Sequence, residues 1–147
     1  MDVKELSVGN IVEVNHYEYG DMYASVTSIN DVGDLCLHLL DERFTKEEYE
    51  CTMKEVTPIP ITEELLLEIG FKKKRDGYLH YSDHNDEFSI KFDLGYAFIE
   101  YANLCFNPED VTETNYGSSL EFPNTLHLHT LQNIWYLLTG KELEIEL

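Results

Sequence analysis

A chain of 147 residues with 29 acidic and only 10 basic side chains, net charge −19, is poorly matched to nucleic acid, whose phosphates are held by Lys and Arg. The same charge disfavours an anionic membrane surface, and no run approaches the roughly 18 apolar residues that span a bilayer. A hydrophobic content of 43%, with 12% aromatic, is enough to fill a core, so the chain is expected to fold as one ordinary domain or two small ones.

The first sixty residues read as short strands. In 10–15, NIVEVN, the apolar residues Ile11, Val12 and Val14 alternate with polar neighbours. In 23–30, YASVTSIN, Tyr23, Ser25, Thr27 and Ile29 share one side, and in 35–40, LCLHLL, Leu35, Leu37 and Leu39 face away from Cys36 and His38. A fourth strand is expected over 52–59, TMKEVTPI, with turns at Gly20, 30–34 and 41–50 between the strands. Consecutive short strands without helices predict a small β-barrel or curled sheet over residues 1–58, and the opening LSVGNIVEV resembles the first strand of SH3-like barrels.

The period changes at 58–75, PIPITEELLLEIGFKKKR. Pro58 and Pro60 hold the backbone extended, Thr62 suits a helix N-cap, Glu63 and Glu64 suit the positive helix start, and Gly70 suits the position past its end. The spacing predicts a two-turn helix burying Leu65, Leu66 and Ile69, with Phe71 packed beside them. The basic run Lys72–Arg75 is expected as a solvated turn matched to the helix dipole. Residues 77–106 alternate about the turn signals SDHND and LG, which predicts a three-stranded antiparallel meander. Residues 107–124 read as a long loop with a short strand near 120–122.

In the last segment Leu128, Leu131, Ile134, Trp135 and Leu138 fall on one helical face, and Gly140 ends the helix. This helix is expected to pack on the meander. The fold class is therefore α+β, with a barrel-like subdomain over 1–58 and a helix–β-meander–helix subdomain over 59–147. His129 lies at the helix start, where side chains commonly bond free backbone groups. Gln132, Asn133 and Thr139 are polar residues on a packed helix, and one of them is expected to bond meander backbone. His129, Gln132, Asn133 and Trp135 are thus the candidate docking residues, in a structural rather than a catalytic role.

The segments LSVGNIVEV, PIPITEELLLEIGFKK and HLHTLQNIWYLLTGKEL together resemble a group of small proteins encoded by gut Bacteroidetes and their phages and mobile elements. The resemblance rests on Pro58, Pro60, Thr62, Glu63, Glu64, Gly70 and Phe71, then on His129, Leu131, Gln132, Asn133, Leu138, Thr139 and Gly140. It spans most of the chain, while His127 and the segment 107–124 fit it less well. It implies no particular reaction.

Chemistry-bearing motifs are sparse. Cys36, Cys51 and Cys105 are isolated and odd in number, which fits reduced thiols, and the opening residues lack a secretory h-region, so a cytoplasmic protein is expected. His127 and His129 share a side only if their backbone is extended. His80, Asp83, His84 and Asp86 form a second possible ligand set, yet a hairpin does not bring such a spacing together as a helix does. Neither a nucleophile elbow nor a phosphate-cradling glycine loop is present. No catalytic, cofactor or metal residue is therefore assigned, and no enzyme is expected. The acidic charge is spread evenly, −9 over residues 1–60 and −10 over 61–147, and steers positively charged partners. The expected function is an accessory protein of a phage or mobile element that binds a protein partner, with homo-oligomerisation compatible. Two alternatives are a nucleic-acid mimic that blocks a host DNA-binding or defence protein, and a trap for a small-molecule ligand.

Overall fold

Apolar alternation builds the first sheet. The computed structural model describes residues 3–44, 48–104, 115–123 and 126–147. Strands β1 (Ile11–His16), β2 (Gly20–Ile29), β3 (Asp34–Leu39), β4 (Glu48–Thr52) and β5 (Val56–Thr57) form an antiparallel sheet in the order β4-β3-β2-β1-β5. Its buried face carries Val12, Val14, Met22, Ala24, Val26, Leu35, Leu37 and Leu39. Each such side chain contributes on the order of 1.5–3 kcal/mol before entropy is subtracted. Cys51 is buried in the same core, and that burial pushes its thiol up to about 11.

Two expectations are corrected in this sheet. It is open, not a closed barrel: β5 is only two residues long and pairs β1 at Glu13–Thr57 and Val14–Val56 alone. The strand expected over 52–59 is broken by a 3-10 turn at Met53–Glu55, and β4 lies earlier, in a stretch that reads as a turn. The cause is local. The Thr52 N–H and hydroxyl both donate to the Glu55 carboxylate, at 2.8 and 3.0 Å, and this capping box curls the chain.

The helix α1 (Glu63–Glu68) forms as the sequence dictates. Thr62 Oγ1 accepts the Leu65 N–H at 3.1 Å, and Leu65, Leu66 and Ile69 are buried. Gly70, at φ 105°, ends it in a left-handed cap. The Phe71 N–H reaches the Leu66 carbonyl at 2.9 Å and the Gly70 N–H reaches the Leu67 carbonyl at 3.3 Å. The basic run beyond it begins as β6 (Lys72–Lys73), and Lys73 pairs with Glu63 at 2.6 Å.

A second antiparallel sheet follows, formed by β6, β7 (Leu79–Asp83), β8 (Asp86–Asp93), β9 (Tyr96–Leu104) and β10 (Asn115–Pro123), in the order β10-β9-β8-β7-β6. The register aligns Leu79, Ile90 and Ile99 in one row, all buried. The expected three-stranded meander is present as β7–β9. The short strand expected near 120–122 is the end of a nine-residue strand over 115–123 that pairs with β9, so the expected loop is corrected over 115–119; residues 107–114 and 124 lie outside the described residues.

The last helix, α2 (Leu128–Thr139), ends at Gly140 as expected, with φ 71°. Its partner is the correction. The chain divides into two compact units, one of Met1–Ile61, His127–Ile145 and Leu147, the other of Thr62–Leu126 and Glu146. The helix thus belongs with the N-terminal sheet and not with the meander, and the chain leaves the first unit after Ile61. Backbone contacts fasten its start there: the Leu128 N–H donates to the Ile59 carbonyl at 2.8 Å, and Pro60 forms a bridge with His127. Among the described residues no helix is long and apolar enough to cross a membrane.

Candidate functional site

An amphipathic helix beside a short sheet edge leaves backbone groups of that edge to be satisfied. Alternate residues of β1 bond β2, so the Ile11 N–H points the other way, beyond the reach of the two-residue β5. Gln132 supplies what a longer strand would have supplied. Its Oε1 accepts the Ile11 N–H at 2.8 Å, and its Nε2 donates to the Gly9 carbonyl at 3.1 Å. Asn133 continues the pattern, with Oδ1 accepting from Asn10 Nδ2 at 2.9 Å and Nδ2 donating to the Glu5 carbonyl at 3.0 Å. Asn10, itself 3% exposed, uses its own Oδ1 to accept the Ser7 N–H at 2.8 Å. Gly9, at φ 91°, supplies the left-handed step that turns this loop into β1.

The expectation of a polar helix residue bonding backbone therefore finds two such residues, with a different target. Both reach residues 5–11, more than 120 positions away in the chain, and not the meander. Such pairings have no local trace in a sequence. The neighbouring pair Gly9–Asn10 is a turn signal, and it is the one hint that a polar loop needed partners.

Around this joint lies a groove of about 640 Å³, lined by Val8, Gly9, Tyr136, Leu137, Glu142 and Leu143 and floored by Asn10, Gln132 and Asn133. Its rim is apolar and open: Val8 is 63% exposed, Tyr136 56% and Leu137 81%. Sequence reasoning missed the rim. It placed Leu138 on the buried face, whereas Leu138 is exposed and Ile134 only half-buried. The fully buried stripe is Leu128, Leu131 and Trp135.

His129 and Trp135 are buried in the first unit, and among the described residues His129 does not bond backbone. Neither of its ring nitrogens has a hydrogen-bond partner among the described residues, although the side chain is 99% buried, leaving 1% exposed. Its ring stacks on that of His127 at 5.6 Å and 9°. Burial, and then the neighbouring His127, hold its pKa below the ordinary value, opposed by Glu5, so the imidazole is neutral near pH 7.

The other candidate ligands separate. His80 and Asp86 lie on opposite faces of the second sheet, since residues an odd number apart across the β7–β8 register alternate sides. Asp86 is buried and accepts hydrogen bonds from the Tyr101 hydroxyl and Asn103 Nδ2, each at 2.8 Å. His84 pairs with the adjacent Asp83 at the turn. No group of three or more His, Cys, Asp or Glu side chains fit to hold a metal occurs among the described residues.

His80 is instead the centre of a polar network on the outer face of this sheet. Its Nδ1 meets Ser89 Oγ at 2.8 Å and Glu87 Oε1 at 3.3 Å, while Nε2 meets Asp76 Oδ2 at 3.2 Å. The order Ser89–His80–Asp76 has the connectivity of a nucleophile, base and orienting acid. The setting differs from that of a nucleophile: Ser89 is 7% exposed and sits in mid-strand, paired with His80 on one side and Glu100 on the other. Its backbone is committed to the ladder, and the network acts to tie strand to strand. Burial of Glu87 works against its charge, and bonds from Ser82 and His80 together with the charge of Lys74 outweigh it, leaving the carboxyl below its ordinary range.

Comparison of the chain with protein-family models, curated proteins and solved structures finds no match.

Proposed function

We propose that this is a non-enzymatic binding protein that receives a positively charged protein segment in the groove beside α2. The carrying observation is the apolar rim of Val8, Tyr136 and Leu137, open to solvent on a chain whose net charge is −19. Large apolar side chains held out at the lip of a groove mark contact surfaces, and aromatics are enriched at such contacts. The uniform negative charge steers a basic partner toward the molecule, and Glu142 on the groove wall offers it a carboxylate. The resemblance to small proteins of phages and mobile elements supports an accessory role in that setting. A groove of about 640 Å³ also has the size of a small-molecule pocket, which favours ligand sequestration as the second reading.

The test is capture from an extract of the native host by the wild-type chain and by Leu137→Asp, each at low and at high salt. The proposal expects a basic protein retained by the wild type at low salt, released as salt rises, and lost from the variant. The same proteins retained by both, independently of salt, would contradict it. A melting-temperature rise with a metabolite panel, abolished by Leu137→Asp, would instead favour the second reading.

A further inference from the structure

A second surface of the first unit carries a cluster of aromatic rings, partly open to solvent. The β1–β2 turn brings His16, Tyr17 and Tyr19 together with Phe44 and Tyr49. The buried His16 ring is the hub: Tyr17 stacks on it at 4.6 Å and 26°, and Tyr19, Tyr49 and Phe44 surround it at 5.0, 5.2 and 6.2 Å. Phe44 and Tyr49 pack against the sheet core, which fixes the inner side. The outer side is open. Tyr17 is 79% exposed and Tyr19 47%, so the ring face of Tyr17 turned away from His16 meets solvent.

A cation already uses this cluster. The Arg43 guanidinium carbon lies 5.5 Å from the centroids of both the Tyr19 and the Phe44 rings, within the range in which the negative face of an aromatic ring attracts a cation. It is held there by Asp41, whose carboxylate accepts from Nε at 2.8 Å and from Nη2 at 2.7 Å. The fork of two bonds sets the guanidinium plane, yet the Arg43 side chain is still 64% exposed, so the clamp is at the surface and exchangeable. The adjacent Glu18 raises the Tyr19 hydroxyl pKa above its ordinary value and adds negative charge beside the cluster.

We propose that this cluster is a binding site for a guanidinium or methylated ammonium group carried by a partner, occupied in cis by Arg43 until the partner's cation replaces it. Electron-rich faces, carboxylates at the edge and a resident guanidinium together specify the ligand class. A weakly hydrated, delocalised cation loses little on leaving water and gains the ring faces, unlike a compact ammonium. Arg43 lowers the apparent affinity for an incoming cation by the fraction of time it covers the rings, so it sets a threshold rather than a block. The cluster shares no residue with the groove beside α2, so Leu137→Asp leaves this site intact and the two readings fail separately.

The experiment is a titration of the full chain with tetramethylammonium chloride and with N-acetyl-arginine amide, followed by backbone and side-chain NMR shifts. Sodium chloride at equal ionic strength is the reference. The expected result is saturable shifts centred on His16, Tyr17, Tyr19, Phe44 and Tyr49, with both organic cations and not with sodium. Arg43→Ala is expected to tighten the apparent affinity by at least about threefold, because the competitor in cis is gone. Tyr19→Leu, which keeps apolar bulk but removes the ring, is expected to weaken it by about tenfold while the melting temperature holds. Shifts spread over the acidic surface and matched by sodium would overturn the proposal, as would an Arg43→Ala affinity equal to or weaker than wild type.

Discussion

A neutral imidazole with 1% exposure and, among the described residues, no hydrogen-bond partner for either nitrogen is tolerable at pH 7.5 and costly once protonated. For His129 the sign follows from its lowered folded-state pKa. The unfolded chain takes up the proton first, near the ordinary 6.5, so stability falls as pH drops through that value and stops falling below the folded one. The groups facing it act oppositely, His127 deepening the shift and Glu5 reducing it. Between pH 7.5 and 5.0 that loss is expected to read as a lower melting temperature. His129→Leu removes the titrating group and is expected to flatten that slope; an unchanged slope would show that other groups produce it. Trp135, fully buried, is expected to cost about 3–5 kcal/mol on Trp135→Ala by denaturant unfolding, whereas exposed Leu137→Ala is expected to change stability by less than about 0.5 kcal/mol.

At the scale of the element, what the sequence reveals depends on how local the cause is. The helix α1 was legible to the residue because Thr62 and Gly70 act on groups within four positions of themselves. Thr62→Ala is accordingly expected to cost about 1 kcal/mol, and Gly70→Ala at least about 1 kcal/mol because of its φ of 105°, both measured by chemical denaturation. Only the end of strand β10, near 120–122, was legible, because NYGSSLEFP has neither sustained alternation nor β-branched residues; its pairing with β9 is a backbone matter. The break between β4 and β5 was hidden by one side chain, Glu55, whose bonds to Thr52 override an alternating pattern. For α2 the periodicity gave Leu128, Leu131 and Trp135 of the buried stripe and the end at Gly140, while Leu138 turned out exposed. An apolar stripe states which face is covered and is silent about which sheet covers it. Only Gln132 and Asn133 carry that information, and they act across more than 120 residues. Of the candidate site, Gln132 and Asn133 of the floor were legible as polar positions on a packed helix, while Val8 and Tyr136 at the rim had no signature.

At the scale of the whole molecule, a return of the chain to its first sheet is what makes both the fold and the groove. Gln132 satisfies the edge of β1 where β5 stops, and the helix so placed forms one wall opposite Val8 and Gly9. Gln132→Leu leaves the Ile11 N–H and the Gly9 carbonyl without these partners, and is expected to cost about 1–3 kcal/mol, more than its change in volume would suggest. The most direct measurement is hydrogen exchange at the Ile11 amide in the wild type and in Gln132→Leu. The expected result is a protected amide in the wild type whose exchange accelerates by about tenfold or more in the variant, with the amides of β8 and β9 unchanged. Exchange at Ile11 that is indifferent to the substitution, with protection lost in β8 and β9 instead, would place the helix on the second sheet and contradict this structure of the site.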